Sequence, residues 1–254
     1  MSDRDGRFDG PPVREKMFNA PPTVLLIALS MPVLFFFQQR LPDMGAGMAF
    51  APADLEQGRY AGLFTSMLLH GNWTHAAMNA IGALAFGAPV ARLFGDRVGP
   101  TVFLLFYIAC GVLAALGYGL IHWGDTTPMV GASGGVFGLI GAATRLMGGR
   151  GRVRPLLDRR VIGASIAWMG VNALTGLIGY APGAGGATIA WEAHPVGFVV
   201  AKEAIGSVEG EYSSTRHGES NYKAVGVLNL PIATDKLGVR LVAGYERIGG
   251  FIDN

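Results

Sequence analysis

Between Pro21 and Ala201 the charged residues sit almost wholly in short connecting segments, and the stretches between them are apolar. That pattern limits the fold more than any other feature. A helix crossing the hydrocarbon core of a bilayer takes roughly 20 mostly apolar residues. Segments 22–39, about 75–93, 99–121, 132–147 and 161–180 meet or approach that length, and a sixth run starts near Ala187. Only 15% of the 254 residues are charged, against about 25% in ordinary soluble domains. So many apolar runs argue against a soluble domain. The single Cys110 leaves no disulfide framework. A polar, proline-containing head precedes the first run, and no small-residue cleavage site stands out after it, so it reads as a head and not a cleaved leader.

The basic residues set an orientation. With the head in the cytoplasm, that side holds Arg4, Arg7, Arg14, Lys16, Arg92, Arg97, Arg145, Arg150, Arg152, Arg154, Arg159 and Arg160. The other side holds Arg40 and Arg59, and segments 122–131 and 181–190 carry no Lys or Arg. Pro32 is an expected kink in the first helix. Segment 42–74, with Phe50, Tyr60, Phe64 and Trp73, reads as a partly submerged outer loop.

Polar side chains inside apolar helices are costly and face the protein interior. Four stand out: His75 and Asn79 in "HGNWTHAAMNAIG", Ser133 in "GASGGVFGLIGA" and His194 in "AHPVGF". His75 and Asn79 are four apart and share a helix face. The second, fourth and sixth runs all pass from outside to inside, so their N-terminal ends lie at similar depth. Topology therefore brings the four residues to one level. Such a set suits acyl transfer. Ser133 is the candidate nucleophile and His194 the candidate base. His75, Asn79 and the backbone N–H of Ser133 are candidate donors to an oxyanion. Glu192 points to another face, so a Ser–His dyad is expected and not a triad. Taken singly, each has a structural alternative: Ser133 as an ordinary N-cap, His75 with Asn79 as an interhelical pair, His194 as a satisfied interior histidine. Gly134 with Gly138, and Gly197 with Ala201, make small-residue faces that let two helices approach closely.

These motifs resemble the rhomboid intramembrane serine proteases, over about residues 20–201. "LLHGNWTHAAMNAIGALAFG" is similar to the family's His-x-x-x-Asn motif, "GASGGVFGLIGA" to its Gly-x-Ser-Gly motif and "AHPVGF" to its Ala-His-x-x-Gly motif. The resemblance implies an all-α polytopic membrane protein, a six-helix bundle, with a short β-strand-type C-terminal tail here. It implies an intramembrane serine endopeptidase that cleaves membrane-spanning proteins by a Ser–His dyad through an acyl-enzyme. Ser133 matches the nucleophile, His194 the base, and His75 and Asn79 the oxyanion residues. Gly131 matches the glycine two before the serine, and His70 a further histidine of more structural role. No cofactor, metal or nucleic-acid partner is implied; the partners are single-span membrane substrates and the bilayer. The expected location is a bacterial-type inner membrane, N-terminus cytoplasmic, with the active site opening to the outer side.

Three features depart from the family pattern. Ala61 and Gly62 stand where the family has a Trp-Arg pair. Pro195 follows His194, lacks an N–H and disfavours helical geometry before it, which is expected to shift the imidazole. From about residue 206 to 254 the text turns to period-two alternation, with Leu237, Val239, Leu241, Ala243 and Tyr245 on one face and "RHGES" and "ATDK" as turns. This tail resembles the early barrel strands of TonB-dependent outer-membrane receptors; a small soluble β-meander is the alternative. Such strands cannot close a barrel and belong in a different membrane. The expected organisation is a polar cytoplasmic head (1–20), a rhomboid-like protease domain (21–201) and a fusion segment (202–254). Truncation of the sixth helix by that junction raises the alternative of a catalytically impaired, rhomboid-like binder of membrane helices.

Overall fold

A computed structural model of the chain describes residues 20–95, 99–148, 153–178, 190–203, 205–214, 220–233 and 237–247. The head 1–19, the segment 181–189, Arg97, Arg150, Arg152 and most of the two tail turns lie outside these residues.

The first helix, α1 (Pro22–Gln38), opens on proline at its first position, where the missing N–H removes no helical bond, and runs through Pro32. The outer segment then folds into short pieces: 3₁₀ turns at Pro42–Met48 and Ser66–Leu68, with α2 (Ala53–Glu56) and α3 (Gly62–Thr65) between them. It is stitched to the 122–131 segment. Phe50 and Met129 exchange backbone hydrogen bonds of 3.1 and 2.7 Å, and the N–H of Ala53 donates to the Asp125 carbonyl at 2.9 Å. Phe50 is fully buried there, while Tyr60, Phe64 and Trp73 are exposed. Gly62, in the family's Trp-Arg position, lies so near Ala49 that a Cβ would stand 2.9 Å from its carbonyl oxygen. A large side chain has no room at that point.

α4 (Trp73–Leu93) starts where Asn72 caps it, the Asn72 side chain accepting from the N–H of His75 at 2.8 Å. α5 (Gly99–Ile121) and α7 (Arg159–Ile178) are, with α4, long and apolar enough to cross a membrane. α1 and α6 (Ser133–Thr144) are shorter apolar helices. Nine of the twelve residues of α6 are buried. A helix apolar on every side belongs in the middle of a bundle, and α6 packs against α4, α5 and α8 (Ala193–Glu203). In contrast, the buried residues of α7 are Val161 and Asn172. The sixth helix begins at Ala193 and not near Ala187, because residues 190–192 form a non-helical turn; it continues through Lys202 and Glu203.

Helix association inside a membrane depends on close packing, since lipid is as apolar as the side chains. The glycines of α6 supply that contact. A Cβ on Gly138 would stand 2.5 Å from Cys110 Cβ of α5. A Cβ on Gly141 would collide with the carbonyl oxygen of Phe198 in α8. A polar clamp ties α1 to the start of α4. The Gln38 side chain donates to the His70 carbonyl at 3.0 Å and accepts from the His70 N–H at 2.9 Å, both residues being buried. After α8 come β1 (Ile205–Ser214), β2 (Ser220–Ala233) and β3 (Leu237–Arg247), antiparallel neighbours in the order β1-β2-β3. The ladder slips between Pro231 and Ala233, where proline has no N–H to give.

Gln38→Leu strands two buried backbone groups of His70 and is expected to cost about 2–4 kcal/mol, read as a lowered Tm in detergent. Gly141→Val is expected to destabilise by about 1–3 kcal/mol or more by forcing α6 from α8, with the same readout.

Candidate active site

The chain enters α6 through Gly131 and Ala132. Gly131 has φ 128°, a conformation side chains rarely adopt, and its N–H donates to the Ser66 carbonyl at 2.9 Å. A Cβ there would also stand 2.7 Å from Cε1 and 2.8 Å from Nε2 of His75. Glycine is thus required twice, for the turn and for the room. Ser133 is the first residue of α6 and Ala132 occupies the cap position, with no side-chain capping bond. The N-cap alternative for Ser133 therefore fails: its hydroxyl is not spent on the helix end. Instead Oγ lies 2.9 Å from Nε2 of His194 on α8.

Three small-residue contacts make that distance attainable. A Cβ on Gly197 would collide with the carbonyl oxygen of Gly134, and one on Gly134 would stand 2.5 Å from Ala114 Cβ of α5. Ala201 faces Gly138, the hypothetical Cβ of which would be 3.6 Å from the Ala201 methyl. Pro195 does not disturb the imidazole. It is the third residue of α8, within the first turn, where backbone N–H groups have no intrahelical acceptor. Phe137, one turn beyond Ser133, stacks flat on the His194 ring, with centroids 4.2 Å apart and planes 6° apart. The sequence reading missed Phe137. Its spacing of four from Ser133 on a helix was the available signal.

A third polar residue is present where none was expected. Asn172 of α7 places Oδ1 2.7 Å from Nδ1 of His194, and its Nδ2 donates to the Trp191 carbonyl at 3.0 Å. The expectation of a bare dyad looked only for an acid near His194. A lone Asn in an apolar run, itself a sign of an interior role, was overlooked. Glu192 does lie apart, 3.6 Å from His122 Nε2.

The other two residues come from α4. Asn79 is buried, and its Nδ2 has no hydrogen-bond partner among the described residues. The N–H of Gly71 donates to Nδ1 of His75 at 3.3 Å. A neutral imidazole that accepts at Nδ1 carries its proton on Nε2, so His75 presents a donor on the side of Gly131. His70 does not line the site. It packs edge-on against His75, with ring centroids 5.4 Å apart. Burial above all, and the neighbouring His75, lower its pKa to about 4, so it stays neutral at physiological pH. Ser133, His194, His75 and Asn79 share a largely apolar cavity of about 500 Å³, walled on one side by α4 and on the other by α7. Among the described residues no three His, Cys, Asp or Glu side chains are grouped to hold a metal.

Residues 57–203 match the Rhomboid domain family. Over 134 residues, 49% of this chain, the sequence is 28% identical to the rhomboid protease GluP of Bacillus subtilis (strain 168), and the match spans 24% of that relative's length. The family match takes in every residue of the cavity cluster and stops at the end of α8, so α1 and the strands lie outside it. With more than half of its length inside that domain, and with several membrane-crossing helices, the chain belongs to the rhomboid family of multi-pass membrane proteins.

Proposed function

We propose that this chain is an intramembrane serine endopeptidase that cleaves single-span membrane proteins, with Ser133 as nucleophile and His194 as general base. The observation that carries the reading is the 2.9 Å contact between Ser133 Oγ and His194 Nε2 inside an apolar cavity. Serine is a weak nucleophile unless a base takes its proton as it attacks. Ser133 Oγ adds to the scissile carbonyl carbon while Nε2 receives the hydroxyl proton. The carbonyl oxygen becomes an oxyanion. Asn79 Nδ2, His75 Nε2–H and the Ser133 N–H are donors suited to it, and donors in a dry site are worth more than in water. The C–N bond then breaks as the imidazolium returns the proton to the leaving amine. Water, activated by the same imidazole, hydrolyses the acyl-enzyme and frees Ser133.

The six-helix arrangement of α1, α4, α5, α6, α7 and α8 is read as spanning a bacterial-type inner membrane. The N-terminus is on the cytoplasmic side and the cavity opens to the other, as the arginine distribution favours. The strands after residue 204 are read as an appended segment outside the protease unit. The impaired-binder alternative rests on a truncated sixth helix. α8 has 11 residues, short of the roughly 20 of a full span, yet it holds His194 Nε2 2.9 Å from Ser133 Oγ, and Pro195 sits where its missing N–H is not needed, so the site geometry favours the enzyme.

Ser133→Ala and His194→Ala are each expected to abolish cleavage of a single-span model substrate in liposomes. Ser133→Ala should also remove labelling by a fluorophosphonate. Undiminished cleavage by Ser133→Ala would refute the proposal. His75→Ala and Asn79→Ala are each expected to lower kcat by about 100- to 1,000-fold with a smaller change in KM.

A further inference from the structure

We propose that Asn172 is a positioning residue that fixes His194 as the tautomer with its proton on Nδ1, and that the Trp191 carbonyl in turn orients Asn172. The inference rests on the protease reading for its consequence, but its geometry stands apart from it.

A backbone carbonyl can only accept, so the atom of Asn172 that lies 3.0 Å from the Trp191 oxygen is the amide nitrogen. A flipped amide would set two oxygens against each other. The atom 2.7 Å from His194 Nδ1 is therefore Oδ1, which also only accepts, so Nδ1 carries the proton. A neutral imidazole has one N–H. Nε2 is then bare, facing the Ser133 hydroxyl at 2.9 Å as an acceptor. Phe137 stacked on the ring sets its plane but not which nitrogen points where. That choice is left to Asn172.

The turn before α8 explains why the Trp191 carbonyl is available. Trp191 precedes the helix, so its carbonyl is not part of the helical ladder, and Pro195, four residues on, has no N–H to compete for it. The Trp191 carbonyl receives the N–H of His194 at 3.2 Å, and its remaining lone pair takes the Asn172 amide. α7 is shaped for this seat. Gly176, one turn beyond Asn172, lies against the Trp191 indole, where a Cβ would collide with the ring. Asn172 is also one of the two buried residues of an otherwise outward-facing helix.

The test uses the full chain in nanodiscs with nitrogen-15 histidine, the His194 signal being assigned by its loss in His194→Ala. The parent should show one Nδ1–H tautomer. Asn172→Leu, an apolar side chain of similar shape, should show mixed tautomers and a kcat lower by about 100-fold at little-changed KM. Asn172→Asp, its buried carboxyl protonated, keeps both bonds: the O–H donates to the Trp191 carbonyl and the other oxygen accepts Nδ1–H. It should recover the single tautomer and most of the lost kcat. A single Nδ1–H tautomer in Asn172→Leu would overturn the proposal, as would an Asn172→Asp variant no better than Asn172→Leu. If Ser133→Ala still cleaves, the protease reading fails while the tautomer result continues to decide the role of Asn172.

Discussion

The site depends on one backbone contact, the approach of α8 to α6 at Gly197 and Gly134. A side chain on Gly197 would meet the Gly134 carbonyl directly, so the two helices can sit at this separation only with glycine there. Ser133 directly precedes Gly134, and His194 stands about one turn before Gly197. Their hydrogen bond is the result of helix packing, and the packing is the result of a missing methyl group. In lipid, where apolar side chains gain little by leaving the surroundings, small residues are the main means of holding helices together. In this bundle the same residues set the geometry of the polar cluster and hold the helices together.

The polar groups follow a second rule, that a neutral imidazole donates at one nitrogen and accepts at the other. His75 accepts from the Gly71 N–H at Nδ1, so it donates at Nε2. His194 is held the other way round by Asn172. Two histidines facing one cavity therefore present opposite chemistry, one a donor suited to an oxyanion and the other an acceptor for the Ser133 hydroxyl. Neither assignment needs a charge. That suits a low-dielectric site, where an unpaired buried charge is expensive.

Much of this was legible beforehand, and for definite reasons. The apolar runs located α4, α5, α6 and α7 to within a few residues, because the length of a membrane-crossing helix is set by the bilayer. Ser133, His194, His75 and Asn79 were found as polar residues in apolar helices brought to one level by alternating direction, and the structure gathers them around one cavity. Other readings went astray where a local rule met a tertiary one. Ser133 was weighed as an N-cap, but Ala132 holds that position and the hydroxyl turns to α8. Pro195 reads from the sequence as a disturbance, yet in the first turn an N–H would have no intrahelical acceptor to lose. Asn172 and Phe137 were passed over because neither lies in a motif with the serine or the histidine.

The sequence by itself determined the class of protein, the depth of its polar residues and the places where helices come close. Each is a matter of pattern along one chain: hydropathy against bilayer thickness, direction of travel, and glycine spacing on a face. Only the tertiary structure decided which nitrogen of each histidine carries its proton, and which residue of α7 meets His194. Those depend on which acceptor stands within about 3 Å of which donor. Asn172 lies 22 residues from His194 along the chain and 2.7 Å away in space, a proximity that helix packing sets and no local spacing encodes.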